Sequence, residues 1–448
     1  MTVSEAPATG ALWRNWGRSQ RIRPAHVERP RDADAVSRAV RSAADRGLHV
    51  KPVGAGHSFS GIAVAPGVQL DLHELTGVID VDEASARVTL GAGTNLYRIP
   101  ALLAPYGLAM QNLGDIDRQT IAGATSTGTH GTGGRFGGLA TQIVAVTLVT
   151  GDGSLLHVSE TENPELLPAA RLGLGALGVL VDITLQCVPA FLLHAVETSE
   201  ALPAVLDAYL ERSATADHFE FYWFPHTEVA VTKTNTRLAA EAERHPRPRL
   251  GAWVDDTLVA NGVYRGICAL GRVAPPIVPP INRLAGRLMG NGEFTDDSTR
   301  VFVTDRTVRF REMEYALPRE AVPEALREVD ALIRRRGWRI SFPVEVRSAA
   351  ADENWMSTAY GRDTGYIAVH RYFRENPTEY FAAVEAIMRA HDGRPHWGKM
   401  HTRTADDLRP AYPRFDDFVA VRDRLDPVGV FENRYLRDVL GPAVRAPA

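Results

Sequence analysis

Hydrophobic residues recur with two different periods along the first part of the chain. A period of two predicts strands at 49–53, 68–72 and 87–90. Apolar positions spaced three or four apart predict a helix that starts with the Pro30–Asp34 turn and stops at Gly47. Another helix is predicted from Thr94 to Tyr106, with Gly107 as its end. Strands and helices mixed in this way indicate an α+β fold.

The next stretch predicts an antiparallel hairpin followed by a helix and a strand. Ile143–Val149 is apolar and rich in β-branched residues, and Gly151-Asp-Gly153 is typical of a hairpin turn. Ser154–Val158 is the expected partner strand. A helix at 164–172 then leads to a strand at 179–188. The whole segment 11–189 is therefore interpreted as one domain.

Composition changes after about Pro189, where aromatic residues become frequent. Strands are predicted at 219–223 and 229–233, and a helix at 320–336. The proline-rich passage 273–280 is interpreted as a connection. A second domain is therefore expected at 190–400.

Bulk properties exclude several classes of protein. The 448 residues suggest two or three domains, and 45% hydrophobic with 23% charged residues is ordinary for a soluble globular protein. The 50 basic and 54 acidic residues are well mixed, so no nucleic-acid footprint is visible. Cys187 and Cys268 lie in apolar surroundings, which favours buried thiols.

The sequence shows neither a signal-peptide pattern nor a membrane-spanning pattern. Residues 1–10 lack the basic and apolar regions of a signal peptide. No stretch approaches the ~20 apolar residues that a membrane helix needs. A cytoplasmic location is expected, with membrane contact at most peripheral.

Two glycine-rich stretches carry the strongest chemical signal. Val50-Lys-Pro-Val-Gly-Ala-Gly-His-Ser-Phe-Ser-Gly61 places His57 and Ser58 directly after two glycines. Gly123-Ala-Thr-Ser-Thr-Gly-Thr-His-Gly-Thr-Gly-Gly134 alternates glycine with hydroxyl side chains and is interpreted as a loop. Free backbone N–H groups in such turns suit anionic oxygen atoms, for instance a pyrophosphate. A tight turn with a surface histidine, and a flexible linker, are the alternatives.

Three other motifs mislead. Gly173-Leu-Gly-Ala-Leu-Gly178 satisfies GxGxxG, but a helix precedes it and a strand follows, the reverse of a dinucleotide-binding Rossmann unit. Gly393–Met400 resembles a P-loop, except that Met400 replaces the Ser or Thr that would hold magnesium. His391, His396 and His401 are five apart, which does not align them on a helix, and no metal site is expected.

A candidate catalytic set lies in the second domain. In Pro343-Val-Glu-Val-Arg-Ser348 the alternation places Glu345 and Arg347 on one side of a strand. His370 alternates on a later predicted strand, and Lys399 ends Pro395-His-Trp-Gly-Lys399. A structural ion pair and a structural histidine are the alternatives to an active site.

Together, Gly54-Ala-Gly-His-Ser-Phe-Ser60, the stretch from Gly123 to Gly133, and Pro395-His-Trp-Gly-Lys399 resemble flavoprotein oxidases of the vanillyl-alcohol oxidase superfamily. The sequence is most similar there to sugar-1,4-lactone oxidases and dehydrogenases and to alditol oxidases, from about Trp13 to Leu440. The resemblance implies a two-subdomain, PCMH-type FAD-binding domain and a cap domain built on an antiparallel sheet with flanking helices. It also implies that residues 401–440 return to the FAD-binding domain.

The resemblance further implies FAD joined covalently to His57. The expected cofactor-binding residues are Val53, Gly54, Ala55, Gly56, His57, Ser58, Gly114, Gly123, Ala124, Ser126, Thr127, Gly128, His130, Gly131 and Val179. The expected catalytic residues are Glu345, Arg347, His370 and Lys399. Lys399 is the expected cation beside the reduced flavin, and either Glu345 or His370 the base.

The expected reaction oxidises an aldono-1,4-lactone by hydride transfer to flavin N5. Electrons pass to oxygen, or to a cytochrome or quinone; Ala124 and Thr125 stand where related enzymes vary, which leaves oxidase and dehydrogenase both open. An alditol oxidase and a non-catalytic flavin-binding protein are the alternatives.

Overall fold

A computed structural model describes residues 10–247, 264–288, 291–304 and 308–443. The strands up to residue 189 are β1 (Trp13–Arg14), β2 (Arg21–Ile22), β3 (His26–Glu28), β4 (Val50–Val53), β5 (Val68–Asp71), β6 (Val78–Asp82), β7 (Arg87–Gly91), β8 (Leu108–Ala109), β9 (Ile143–Val149), β10 (Leu155–Ser159), β11 (Val179–Gln186) and β12 (Val188–Pro189). The helices there are α1 (Ala33–Asp45), α2 (Ile99–Leu103), α3 (Ile121–Ser126) and α4 (Leu167–Ala170).

Two main sheets organise this first part. A parallel sheet has the order β3-β5-β4, and an antiparallel sheet has the order β10-β9-β11-β7-β6. Helix α1 is capped by Asp32, whose side chain accepts from the Ala35 N–H, and it buries Val36 and Val40. Strand β4 ends at Val53, so it delivers the first glycine-rich stretch to the sheet edge.

The second part is built on one large sheet. Its strands are β13 (Phe191–Ala201), β14 (His218–Trp223), β15 (Val229–Ala239), β16 (Asn291–Asp297), β17 (Phe310–Pro318), β18 (Val344–Ala349), β19 (Thr364–Tyr372) and β20 (Arg394–Pro395). Among the described residues it is antiparallel throughout, in the order β16-β13-β15-β14-β18-β19-β17-β20. The long strands β13 and β15 therefore lie to one side, and the strands that carry the catalytic candidates to the other.

Helices cover one face of this sheet, and others complete the chain. They are α5 (Leu202–Thr215), α6 (Tyr264–Val273), α7 (Val278–Leu288), α8 (Ser298–Phe302), α9 (Val322–Arg336), α10 (Thr378–Ala390), α11 (Ala405–Leu408), α12 (Phe415–Leu425) and α13 (Arg434–Leu440). Leu206, Val329 and Val384, from α5, α9 and α10, are buried in a core with the sheet residues Phe221 and Ile367. None of the described helices is both long and apolar enough to span a membrane.

The α+β fold with a large antiparallel sheet and flanking helices is confirmed, and two local interpretations were wrong. The stretch 123–134 is not all loop, because its start belongs to α3, which Thr120 caps by accepting from the Gly123 N–H. The passage 273–280 is largely helical: a 3₁₀ turn at Pro275–Ile277 joins α6 to α7. Proline is tolerated there because it stands in first turns.

The last part of the chain packs on the first. The Val50 N–H donates to the Val430 carbonyl at 2.8 Å, and Lys51 Nζ donates to the Phe431 carbonyl at 3.2 Å. Asn433 Nδ2 donates to three carbonyls, of Gly61, Ile62 and Val64. These contacts join the last part of the chain to the first, and the boundaries 11–189, 190–400 and 401–440 stay predictions.

Candidate functional site

Two clefts meet at His57. One, of about 760 Å³, lies in the first part of the chain between the two glycine-rich stretches. The other, of about 750 Å³, lies between the first part and the large sheet. His57, Ser58, Gln119 and Thr127 line both clefts, so the two form one continuous groove.

The first cleft, which we name the glycine cleft, fits a dinucleotide. The predicted residues that line it are Gly54, Ala55, Gly56, His57, Ser58, Gly123, Ser126 and Thr127. A Cβ atom at Gly54 would lie 2.3 Å from Thr120 Oγ1, so only glycine permits this close approach. Gly56 has φ +69°, which also favours glycine. The residues present therefore suit the narrow, polar parts of FAD.

His57 is a largely buried histidine at the junction of the two clefts. Its ring stacks on Trp16, with the centroids 5.6 Å apart. Burial, and then the charges of Lys399 and Arg118, lower the pKa of His57 to about 4. The imidazole is therefore neutral at neutral pH and keeps a free lone pair.

The second cleft, which we name the acidic cleft, contains all four predicted catalytic residues. The predicted residues that line it are His57, Ser58, Gly114, Thr127, His130, Glu345, Arg347, His370 and Lys399. Five predicted cofactor residues line neither cleft: Val53, Ala124, Gly128, Gly131 and Val179. Gly131 serves backbone packing, since a Cβ there would lie 2.1 Å from the Leu113 carbonyl. Cofactor contact by these five stays a prediction.

Arg347 lies between two carboxylates on one wall of the acidic cleft. Its Nε is 2.6 Å from Glu345 Oε1 and 2.8 Å from Glu220 Oε2. Strand β14 pairs with β18, with Phe221 opposite Val346, and this register brings Glu220 beside Arg347. Burial opposes the charge on Arg347, but both carboxylates outweigh it and hold its pKa well above the usual range. The guanidinium is fixed in place and charged.

A second charged group joins Glu312, His370 and Lys399. Glu312 lies opposite His370 on the neighbouring strand, with His370 Nε2 3.6 Å from Glu312 Oε1. Lys399 Nζ forms an ion pair with Glu312 Oε2. Burial opposes the charge on Glu312, but Lys399 and His370 outweigh it and lower its pKa. Lys399 likewise has a raised pKa, because Glu312 and Glu314 outweigh burial.

Glu314 forms a third group with His130 and His396. His130 Nε2 lies 3.0 Å from Glu314 Oε1, and its Nδ1 donates to the Gly131 carbonyl at 2.8 Å. All three residues are buried, and one atom from each that could bind a metal ion, a ring nitrogen or a carboxylate oxygen, lies within 4.8 Å of the other two. However, His396 Nδ1 accepts from the Gly398 N–H at 3.0 Å, and burial lowers its pKa to about 4. Its Nε2 therefore carries the hydrogen, and Glu314 has its hydrogen bond with His130.

Sequence reasoning missed Glu220, Glu312 and Glu314. A usable signal exists for the last two, because Phe310-Arg-Glu-Met-Glu-Tyr315 alternates and places both acids on one face of a strand. The backbone also explains their partners: the Met400 N–H donates to the Glu312 carbonyl, and the His396 N–H to the Glu314 carbonyl. Residues 396–399 thus run beside β17, which places Lys399 beside Glu312 and His396 beside Glu314.

Two family models and several relatives match the chain. The family model "D-arabinono-1,4-lactone oxidase" matches residues 183–439, and the model "FAD binding domain" matches residues 24–159. L-gulono-1,4-lactone dehydrogenase of Mycobacterium tuberculosis is 45% identical over 96% of this chain and 99% of its own length. L-gulonolactone oxidase of Bos taurus is 35% identical, over 96% and 98%. Alditol oxidase of a Streptomyces species is 32% identical, over 95% and 98%.

A solved structure shows the same fold. Cholesterol oxidase from B. sterolicum superimposes with a TM-score of 0.80 at 19% identity, covering 98% of this chain and 99% of that one. The FAD-binding half, the lactone-oxidase half and the clefts between them lead to one conclusion: the chain belongs to the D-arabinono-1,4-lactone oxidase family and is an FAD-dependent oxidoreductase.

Proposed function

We propose that this enzyme oxidises an aldono-1,4-lactone, and that it does so in the cytoplasm with FAD attached covalently to His57. The observation that carries the proposal is the convergence of Glu345, Arg347, His370 and Lys399 on one cleft that opens onto His57. Bound FAD supplies a two-electron acceptor that takes a hydride at N5.

The acidic cleft suits a neutral, hydroxyl-rich substrate. Arg347 is held by Glu345 and Glu220, so its remaining N–H groups donate to substrate oxygen atoms from a fixed position. Glu345 accepts from substrate hydroxyl groups. Holding the substrate in one orientation supplies a large part of the rate enhancement.

His370 is the best-placed proton acceptor. Its Nδ1 donates to the Pro343 carbonyl at 3.1 Å, which leaves Nε2 as the basic nitrogen in the neutral ring. Glu312 and Glu314 are poorer bases, since their cationic neighbours lower the pKa of each. When Nε2 takes the hydroxyl proton, the nearby Glu312 stabilises the imidazolium.

Lys399 supplies a fixed positive charge. Glu312 anchors its ammonium group, so the charge stays in place without solvent reorganisation. A cation in this position stabilises negative charge that develops on the cofactor during reduction.

Attachment at His57 has a direct test. The denatured wild-type protein should show flavin fluorescence on a gel, and His57→Ala should lose it. His49→Ala is the matched control, because His49 lies outside both clefts. Fluorescence that survives in His57→Ala would contradict covalent attachment there.

The substrate is tested by anaerobic mixing. L-gulono-, L-galactono- and D-arabinono-1,4-lactone should bleach the flavin absorbance, and His370→Gln should slow bleaching at least a hundredfold. An alditol is the second candidate, because the carboxylates accept equally well from an open-chain polyol. Faster bleaching by xylitol or sorbitol than by every lactone would favour that candidate. Later addition of oxygen, a cytochrome or a quinone identifies the electron acceptor.

A further inference from the structure

His130 is a buried side chain in the wall of the acidic cleft. The Thr129 N–H donates to the Ala124 carbonyl at 3.0 Å, and the Leu139 N–H donates to the Thr129 carbonyl at 2.9 Å, which fixes the backbone just before it. The Tyr366 ring lies nearly parallel to the imidazole, with the two centroids 3.6 Å apart. The imidazole ring is therefore held in one orientation.

Both nitrogen atoms of this ring face hydrogen-bond acceptors. Nδ1 lies 2.8 Å from the Gly131 carbonyl, which can only accept, so this nitrogen carries a hydrogen. Nε2 lies 3.0 Å from Glu314 Oε1. When an imidazole and a carboxyl group share one proton, the imidazole is the stronger base by about two pKa units in water. The proton between them therefore lies on Nε2, and the ring carries two N–H groups and a positive charge.

The charges on strand β17 favour this state. Two buried carboxylates, Glu312 and Glu314, project from that strand, and Lys399 forms its ion pair with Glu312. The other histidine of the cluster, His396, is neutral because burial lowers its pKa to about 4. A protonated His130 therefore gives each acid of β17 one cation. Without that proton the group would bury two carboxylates with one ammonium, and an uncompensated buried charge is costly.

The remaining groups of the acidic cleft act in the same direction. Glu345 and Glu220 share the single guanidinium of Arg347, and Asp115 also lines the cleft. This surplus of negative charge favours the protonated form of a nearby histidine. The face of the Tyr366 ring also attracts a cation stacked on it. Burial and the ammonium group of Lys399 oppose the proton, but the carboxylates outnumber the cations.

We propose that His130 is an imidazolium throughout the working pH range and that it supplies, with Lys399, the positive charge that stabilises the reduced flavin. Its two N–H groups are engaged, so it transfers no proton and acts through its charge alone. A fixed charge in a site that excludes water acts more strongly than one in solution. The inference rests on the flavin of the proposed function and not on the lactone, so it is tested without substrate.

Nitrogen NMR of the flavin-containing protein, labelled with ¹⁵N-histidine, tests the charge directly. At about pH 8.5 a histidine with an ordinary pKa is neutral and has one N–H group. One ring should still show two N–H groups at this pH, and its signals should be missing from His130→Gln. The proposal is overturned if wild type contains no such ring, or if the ring persists in the variant.

The midpoint potential of the bound flavin, measured against a reference dye, tests the effect of the charge. His130→Gln should lower the equilibrium constant for two-electron reduction about tenfold, which is a shift of about 30 mV. His130→Lys keeps a cation beside Glu314 and should restore most of that loss. Equal losses in the Gln and Lys variants would mean that His130 acts by packing, and an unchanged potential in His130→Gln would overturn the proposal.

His218→Gln is the matched control. His218 is also buried, but its Nδ1 donates to the Thr132 carbonyl at 2.7 Å and its Nε2 accepts from Arg237 Nε at 3.1 Å, so its ring is neutral. It lines neither cleft, and its replacement should leave the potential of the flavin unchanged. A loss as large as that in His130→Gln would contradict a specific effect of the His130 charge.

Glu314→Gln distinguishes a charged His130 from a neutral one. Without the carboxylate, the imidazole gives up its second proton, so the pair loses one negative and one positive charge together. The potential should then stay close to that of wild type, and His130→Gln/Glu314→Gln should match it. If His130 were neutral in wild type, Glu314→Gln would remove a negative charge alone and raise the potential. A clear rise therefore overturns the proposal.

Discussion

Glu220 and Arg347 lie on adjacent strands, 2.8 Å apart, although only Arg347 lines the acidic cleft. The cleft wall therefore depends on a carboxylate behind it. Glu345 reaches the same guanidinium from the cleft side, so the two acids together determine where its N–H groups point.

Glu220→Gln should lower kcat/KM about tenfold, mainly through KM. Glutamine keeps an acceptor but loses the charge that makes this hydrogen bond strong, so Arg347 is held less firmly. Steady-state kinetics with the best substrate measures the effect. Glu200→Gln is the control, because Glu200 lies on strand β13 of the same sheet, outside the cleft lining, and pairs with Arg212 of helix α5 at 2.9 Å. Equal losses in both variants would contradict a positioning role for Glu220.

Lys399→Met should reduce both stability and flavin reduction. It leaves the Glu312 carboxylate buried without its cation, which should lower the free energy of unfolding by about 3 kcal/mol. Lys399→Met/Glu312→Gln should recover most of that stability but not the rate of bleaching, because the charge is still missing. Urea unfolding and anaerobic reduction separate the two effects. Recovery of both by the double variant would mean that Lys399 is only structural.

Gly54→Ala should reduce the flavin content of the purified protein at least fivefold. The added Cβ would displace Thr120, which caps α3 at the border of the glycine cleft. The ratio of flavin absorbance to protein measures the loss. Gly292→Ala is the control, because its nearest neighbour would be 3.9 Å away. Full flavin content in Gly54→Ala would show that the close approach is not required.

Lys51 should make stability rise between pH 7 and pH 9. Burial lowers its pKa to about 7, against a smaller opposing effect of Asp426. In this range the unfolded chain binds more protons than the folded one, so raising the pH favours folding. Relative to Lys51→Met, wild type should gain about 2 kcal/mol over these two pH units. Urea unfolding at both pH values checks this, and a constant difference would refute it.

Local patterns in the sequence predicted several of the side chains that line the acidic cleft. The alternation around Glu345 and Arg347 places both on one face whatever lies next to the strand. The partners Glu312 and Glu220 depend instead on strand order and register, which are non-local. For that reason the ion pairs could not be predicted from periodicity alone.

Tertiary packing also overrides local propensity at the second glycine-rich stretch. Gly123 disfavours helix, yet α3 forms because Thr120 caps it and Ile121 and Ala124 are fully buried. A loop is the natural expectation from composition. A helix forms instead because residues distant in the sequence bury Ile121 and Ala124.

The hydrogen bond from the Val50 N–H to the Val430 carbonyl has a consequence for biosynthesis. Strand β4 emerges early from the ribosome, but the segment that covers it, with Phe431 and Asn433, is made almost 400 residues later. Until then the amino-terminal half lacks one of its walls. Capture of the coenzyme should therefore be a late, post-translational step, and a chain stalled before residue 430 should be a substrate for chaperones and proteases.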